Sequence, residues 1–240
     1  MEKHCVIYRE QSIEFELHRK NVKNVNVNVK PDMSVMVSAG HDVPLEFIKA
    51  FIQRRGSWIL KTVNHFKQVE PEPHSPREYV SGESFTYLGK QVRLKVYKSD
   101  NDQVKYMRGF LELHTQDPTS LKRKRSLVKR WFQARTETVF HESLQTVYPQ
   151  VQKYGITQPK IMIQPLKARW GSCIKDRRLI LLNSELIKAP KYCIQYVILH
   201  ELLHFKYPYH DHEFYEFLTA FMPDWKARKA ILDEEIVRAL

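Results

Sequence analysis

Long apolar runs are missing from this sequence. No stretch approaches the roughly 20 consecutive apolar residues that a membrane-spanning helix requires. Charged residues also recur from Met1 to Arg9, where a secretory signal would have an uninterrupted apolar segment. We therefore expect a cytoplasmic protein with no membrane partner.

Cysteine and glycine are scarce as well. The three cysteines, Cys5, Cys173 and Cys193, form no CxxC pair, which fits a reducing compartment. The seven glycines are too scattered for a Rossmann fingerprint or a P-loop, because both need clustered glycines to bring backbone close to phosphate. Their spacing excludes dinucleotide-dependent oxidoreductases and P-loop nucleotide hydrolases.

Positive charge, in contrast, is in excess. Lys and Arg number 39 against 27 Asp and Glu, which gives a net charge of +12. The densest run is Lys122-Arg123-Lys124-Arg125, followed by Lys129-Arg130. Such a run is either a solvated helix face, which is the usual case, or a surface with affinity for a polyanion such as nucleic acid.

The first half of the chain has the period of β-strands. Valines alternate with polar residues between 24 and 37, which predicts half-buried strands within residues 5–40. From Pro44 to about Lys67 the apolar spacing predicts a helix, which Gly56 would loosen midway. Further strands are predicted after a proline-rich connector at 70–76, at 85–88, 92–96 and 104–114.

The second half is predicted to be mostly helical. A long helix begins near Ser120, a good N-cap, and continues to about Tyr148. A short buried strand at 179–182 follows, and then Pro190 opens a helix that Pro208 ends. The last helices are predicted at about 211–221 and 224–238.

These patterns predict an α+β fold with two regions. Residues 1–115 would form a β-rich N-terminal region with one long helix. Residues 116–240 would form a helical region packed with it, and we assign the chemistry to this region because of the motif described next.

The strongest chemical signal is His200-Glu201-Leu202-Leu203-His204. Residues four apart on a helix lie one above the other, so His200 and His204 can bind one metal ion from the same face. Glu201 lies to the side, where it can take a proton from a metal-bound water. The neighbouring residues are apolar, so this helix should be buried, and a metal would satisfy polar groups that are costly to bury alone.

A catalytic zinc needs a third protein ligand and leaves the fourth position to water. His210 is favoured, because it follows His204 by six residues, the separation found in metzincins. Tyr207 stands where metzincins have glycine, so that label does not apply. The competing ligands on the next helix are His212, Glu213 and Glu216.

Further motifs accompany this helix in a fixed order: Ala168-Arg169-Trp170-Gly171-Ser172-Cys173, Leu181-Leu182-Asn183, Pro190, His210, Phe214 and Met222-Pro223-Asp224-Trp225-Lys226. With HELLH they resemble the bacterial YgjP-like metallopeptidase domain, densely from about 160 to 232 and more weakly upstream. The resemblance implies a zincin-type fold with zinc on His200, His204 and His210. It also implies that Glu201 acts as general base.

Four residues are candidates for substrate contacts: Arg169, Ser172, Asn183 and Tyr207. Arginine and hydroxyl groups can stabilise developing negative charge, although Arg169–Cys173 could instead be a structural turn held by a buried Trp170. An extended peptide is expected to pair with an edge strand at 179–182. Cys173 as a nucleophile or as an extra metal ligand is a weaker hypothesis, since the helix already holds a complete apparatus.

The leading hypothesis is a zinc-dependent metallopeptidase, with Zn²⁺ as cofactor, a zinc-bound water as nucleophile and a peptide as substrate. An alternative keeps the zinc and hydrolyses nucleoside triphosphates, which rests on the positive charge alone. A third hypothesis is a non-enzymatic binding module. Its structural zinc would need four protein ligands.

Overall fold

The computed structural model describes residues 2–22, 24–29, 33–68, 77–166 and 169–239. The chain separates into two compact units, residues 1–74 and residues 75–239. The connector predicted at 70–76 lies outside the described residues. In the described part of the chain, no helix combines the length and the apolar character needed to cross a bilayer.

The first unit is a four-stranded sheet with one helix, in the part of the chain where strands within residues 5–40 and a helix from Pro44 were predicted. Its elements are β1 (Glu2–Tyr8), β2 (Gln11–Arg19), β3 (Asn26–Val29), β4 (Val35–Ala39) and α1 (Leu45–Gln68). The strand order is β1-β2-β4-β3, in which β2 and β4 are parallel and the other pairs are antiparallel.

Helix α1 buries one stripe of its surface. Ile48, Ile52 and Ile59 are fully buried at the spacing of an amphipathic helix. Gly56 lies on the same face, and a Cβ there would lie only 2.4 Å from the ring of Tyr8 on β1. The helix is continuous through Gly56, contrary to the loosening expected from the sequence. This glycine instead allows the helix to approach the strand.

The second unit contains two sheets and four helices in its described residues. Its elements are β5 (Ser84–Tyr87), β6 (Lys90–Lys98), β7 (Gln103–Met107), β8 (Phe110–Thr115), α2 (Leu121–Gln152), β9 (Lys160–Gln164), β10 (Gly171–Ile174), β11 (Leu179–Asn183), α3 (Lys191–Leu203), α4 (His212–Phe221) and α5 (Trp225–Ala239). The strand orders are β5-β6-β8-β7 and β10-β11-β9. The predicted α+β class with a β-rich N-terminal part is confirmed.

Strands β5 to β8 share a core with the helices, although the sequence analysis placed a boundary between 115 and 116. Their inward side chains belong to one hydrophobic cluster with those of α2 and α3. The ring of Tyr87, for example, lies 5.1 Å from that of Trp131, and Phe85 lies 6.0 Å from Phe132. The compact unit therefore begins at residue 75 and includes these strands. The alternation predicted the strands themselves but could not show which helices would cover them.

Helix α3 is the central element of this unit. It is apolar on nearly all sides, and nine of its 13 residues are buried. Helices α2, α4 and α5 pack against it, as do β10 and β11. This packing on all sides fixes the helix that carries the HELLH sequence.

Candidate metal centre

Three histidines converge at the C-terminal end of α3. His200 lies in the last turn, and His204 follows the helix at its C-cap with helical backbone. His210 comes from the segment between α3 and α4. The Nε2 atom of His200 lies 3.2 Å from Nε2 of His204 and 2.9 Å from Nε2 of His210. One ring nitrogen from each histidine therefore points to a common position.

The protonation of His204 follows from its neighbour. Its Nδ1 lies 3.0 Å from the carbonyl oxygen of Tyr207. A carbonyl only accepts hydrogen bonds, so Nδ1 carries the proton and donates it. In the neutral ring, Nε2 then has a lone pair directed at the common position, the tautomer that a metal ligand needs.

The spacing of the three nitrogens fits a bound cation. His200 Nε2 can donate at most one hydrogen, so it cannot satisfy both close nitrogen neighbours. A cation would accept all three lone pairs. Two imidazole nitrogens that bind one tetrahedral zinc at about 2.0–2.1 Å lie about 3.3 Å apart, close to the two separations from His200 Nε2. The three histidines can thus hold a metal ion.

Burial keeps these rings in the neutral form that binds metal. Burial is the main reason that the pKa of His200 is lowered to about 3, and the nearby His204 and His210 lower this pKa further. Burial, followed by His204, also lowers the pKa of His210. At neutral pH both rings are therefore uncharged, so a metal would not have to displace their protons.

Phe214 positions the histidines from behind. Its fully buried ring lies 4.9 Å from the ring of His200 and 4.8 Å from those of His204 and His210. Asp211 starts α4 by accepting a hydrogen bond from the Phe214 backbone at 3.0 Å. This cap turns the chain back so that His210 faces α3.

The competing ligands lie elsewhere. His212 Nδ1 lies 3.4 Å from Glu216 Oε2 on the exposed face of α4, where the two side chains are 85% and 64% exposed. Glu213 is exposed as well. Of the candidates weighed from the sequence, only His210 joins His200 and His204 in the metal-binding group found among the described residues.

Glu201 is a buried carboxylate on the same helix. Only 7% of the residue is exposed, and burial raises its pKa to about 7. A hydrogen bond from the backbone N–H of Cys173 and the charge of Arg169 act in the opposite direction and favour the ionised form. Glu201 is therefore poised between its two protonation states near neutral pH.

Gly171 leaves the space that Glu201 occupies. A Cβ at this position would lie 2.9 Å from both Cγ and Oε1 of Glu201 and 3.1 Å from Val197. Strand β10 can thus lie directly against the carboxylate, and Cys173 can donate to it. Gly171 belongs to one of the motifs in the sequence, but its role could not be predicted, because the contact joins segments 30 residues apart.

A cavity of about 590 Å³ opens at this position. The histidine cluster and Glu201 line it, together with Arg169, Ser172, Tyr196 and Lys229. Burial raises the pKa of the Tyr196 phenol, so it keeps its proton at neutral pH and can donate a hydrogen bond. The cavity therefore brings together metal-binding nitrogens, a carboxylate and hydrogen-bond donors.

A protein-family model described as the YgjP-like metallopeptidase domain matches residues 23–235. The chain belongs to this family. No curated protein matches the sequence. Membership of the YgjP-like family supports a zinc metallohydrolase at the level of the family, and the histidine cluster lies within the matched range.

Two predicted contact residues of this YgjP-like chain line the cavity and two do not. Arg169 and Ser172 line it, while Trp170 between them donates from Nε1 to the Leu232 carbonyl at 3.2 Å. The segment is thus both anchored and open to the cavity. Tyr207 packs its ring against Phe217 at 4.8 Å, and its carbonyl binds His204.

Asn183 holds the segment that leads to the cavity. It is 6% exposed, and its Nδ2 donates to the carbonyls of Leu166 at 3.0 Å and Arg169 at 3.2 Å. Its Oδ1 accepts from the backbone of Glu185 at 3.1 Å. These hydrogen bonds from the Asn183 side chain fix the backbone at Leu166 and Arg169, which precede β10 in the chain.

The edge strand beside the site is β10 and not β11. Residues 179–182 were predicted to lie at the edge, but β11 pairs with β10 on one side and with β9 on the other. All five of its residues are buried. A continuous apolar run fits a central strand with both faces covered, whereas β10 ends the sheet in the strand order.

Proposed function

We propose that this protein is a zinc-dependent peptidase in which His200, His204 and His210 hold the metal and Glu201 is the general base. The observation that carries the proposal is the convergence of three imidazole nitrogens beside a buried carboxylate in one cavity. The match to a metallopeptidase family supports the same conclusion.

The donor set favours a catalytic zinc. Three imidazoles suit zinc, and a structural zinc site would be closed by a fourth protein ligand. Within the described part of the chain, the metal-binding group contains these three histidines and no cysteine or carboxylate. This favours an enzyme over the binding module considered from the sequence. When bound, zinc polarises a carbonyl and lowers the pKa of water to about 7.

Glu201 would carry out the proton transfers. Its carboxylate accepts a proton from the attacking water and then passes it to the leaving amine. The backbone N–H of Cys173 orients the carboxylate, and the charge of Arg169 favours its ionised form. A pKa near the working pH allows the same group to accept and then return a proton.

The substrate would be an extended peptide along the outer edge of β10. This edge has no partner strand in the sheet formed by the described residues, and it runs past Glu201. Backbone pairing to an exposed edge binds a peptide largely independently of its sequence. Arg169, Ser172 and Tyr196 would then contact the substrate, with Arg169 and Tyr196 supplying positive charge and a hydrogen bond to the developing oxyanion.

Glu201→Gln tests this assignment. Glutamine keeps the size of the side chain but cannot accept the proton, so cleavage of casein or a peptide library should fall by about 10² or more. Metal analysis should show unchanged zinc. Loss of zinc with activity would make Glu201 a ligand and contradict the proposal.

The same pair of proteins tests the substrate class. Nucleoside triphosphates are offered to wild type and variant beside the peptide library. Peptide cleavage that depends on Glu201 supports the peptidase. Hydrolysis of nucleotides alone, with the same dependence on Glu201, would overturn the substrate class and leave the proton-transfer role intact.

A further inference from the structure

The first half of α2 carries a dense group of cations that the metal centre does not use. Seven Lys and Arg lie between residues 121 and 135, with no Asp or Glu among them. A solvated surface usually mixes the two signs. The first half of α2 therefore differs from an ordinary solvated helix surface.

Three of the seven cations are buried or are bonded to neighbouring residues. Arg123 donates from Nε to Asp102 at 2.7 Å and also donates to Gln116 at 2.8 Å. Lys124 is only 5% exposed. Arg135 donates from Nε to the Tyr87 hydroxyl at 3.1 Å. These residues serve the fold.

The other four are exposed: Lys122, Arg125, Lys129 and Arg130. Within the described residues, none of the four belongs to an ion pair. Their spacing of three, four and one residues places them on one side of the helix. With a rise of 1.5 Å per residue, this group, the α2 cationic face, is about 12 Å long.

Some cations on other helices of the same protein are paired. Lys49 binds Glu46 at 2.9 Å on α1, and Arg228 on α5 binds Asp224 at 3.0 Å. On the α2 cationic face, Arg125 and Lys129 are instead like charges four apart, an arrangement that destabilises a helix. The fold itself gains nothing from this arrangement.

We propose that the α2 cationic face binds the phosphate backbone of double-stranded nucleic acid. The duplex carries about one negative charge per 1.7 Å of its axis, so the face would meet about seven charges along its length. The net charge of +12 attracts such a polyanion over long range. This proposal does not depend on the peptidase assignment.

The neighbours of the four cations favour a duplex over other anionic partners. Ser126, Gln133 and Ala134 share the exposed side with them, and Trp131 and Phe132 are partly buried. Single-stranded nucleic acid would require exposed aromatic rings for base stacking. A membrane surface would require an apolar face beside the charges, and between residues 121 and 135 the large exposed apolar side chain is that of Leu121, at 50% exposure.

Backbone contacts of this kind have a defined salt dependence. Four neutralised phosphates give a slope of about −3.6 in the logarithm of affinity against the logarithm of salt concentration. Affinity should therefore fall about 100-fold between 50 and 200 mM salt. It should also be nearly independent of base sequence, because no base edge is read.

The test is fluorescence anisotropy with a labelled DNA duplex of mixed sequence, with an RNA duplex of the same length in parallel. The full chain is compared with Lys122→Gln/Arg125→Gln/Lys129→Gln/Arg130→Gln. The variant should bind at least about tenfold more weakly at low salt and lose most of the salt slope. The matched control is Lys90→Gln/Arg93→Gln/Lys98→Gln/Lys105→Gln, which removes four exposed cations from β6 and β7; it should bind within about threefold of wild type.

Four outcomes would overturn the proposal. An equal loss of affinity in the control variant would mean that the net charge, and not the α2 cationic face, causes binding. An absence of salt-dependent binding by the wild-type protein would mean that the face does not bind a duplex. Tighter binding to phosphatidylserine vesicles, or equal competition by polyglutamate, would assign the face to a membrane or an acidic protein. If the quadruple variant unfolds, the four single variants replace it, and each should lower the slope by about 1.

Discussion

Helix α3 and strand β10 meet beside Glu201 at the candidate metal centre, but they contribute in different ways. The helix region contributes side chains: the imidazoles of His200 and His204 and the carboxylate of Glu201. The strand contributes the N–H of Cys173 and the missing Cβ of Gly171. One element carries the reactive groups, while the other sets the space and the hydrogen bonding around them.

This contrast orders the expected effects of mutation. A change in the helix removes a group that has no replacement. A change in the strand moves the Glu201 carboxylate or alters its pKa, but the carboxylate is still present. We therefore expect the effects of mutation on zinc content and activity to decrease from the proposed metal ligand to the proposed general base to the strand backbone.

His204→Ala should have the largest effect, the loss of bound zinc. Two imidazoles would remain, too few for a stable site, and activity should disappear with the metal. The control is His212→Ala, which removes an exposed histidine eight residues away and should retain one zinc per chain. Elemental analysis of both variants decides the point: full zinc in His204→Ala would refute the ligand assignment.

The histidine pair could be predicted because its geometry is local. An α-helix brings residues four apart together whatever lies around it. His210 was inferred from its ligand type, its spacing and the family resemblance, and its position depends on the Asp211 cap and on Phe214 packing behind the three rings. Gly171 could not be predicted, because its contact with Glu201 depends on how two distant segments pack.

Glu201→Gln should change the pH dependence of stability in metal-free protein. The folded pKa of about 7 is above the ordinary value of 4.5, so the folded state binds the proton more tightly than the unfolded state. The stabilisation that Glu201 contributes to wild type should therefore be lost as pH rises from 4.5 to 7, with no further loss above that. Up to about 3 kcal/mol follows from a shift of this size.

Thermal unfolding of both chelated proteins at pH 4.5 and pH 8 measures this effect. The variant lacks the titrating group, so it should equal wild type at pH 4.5 and exceed it at pH 8. The histidines are common to both proteins, so their titration cancels from the difference. Equal melting temperatures at pH 8 would mean that the Glu201 carboxylate is better solvated than its burial indicates.

Gly171→Ala tests the strand. The added Cβ would force the Glu201 carboxylate to move, because it would lie 2.9 Å from Cγ and Oε1. Overpacking of this kind costs about 1–3 kcal/mol, and a displaced base should lower activity about tenfold or more. Zinc content should stay unchanged, since no ligand is touched.

A double-mutant cycle checks the cause of that loss. In a Glu201→Ala background the two closest contacts of the added methyl group are removed and Val197 remains at 3.1 Å, so the cost in stability should be smaller. The same loss in both backgrounds would show that the alanine acts through the strand itself. The contact with Glu201 would then not be the reason for the glycine.

The smallest effect concerns the thiol of Cys173. Burial is the main reason that the pKa of this thiol is raised to about 11. The charge of Glu201 also raises the pKa, while the charge of Lys175 lowers it. At pH 8 only about 0.1% of such a thiol is thiolate, the reactive form, so alkylation by iodoacetamide should be slow. Glu201→Gln should accelerate it by a small factor, on the order of threefold, because one negative neighbour is removed. The exposed Cys5 reports the reagent in the same mass spectrum and should label at equal rates in both proteins. An unchanged Cys173 rate would mean that helix and strand are electrostatically independent at this position, and rapid labelling in wild type would revive a nucleophilic cysteine.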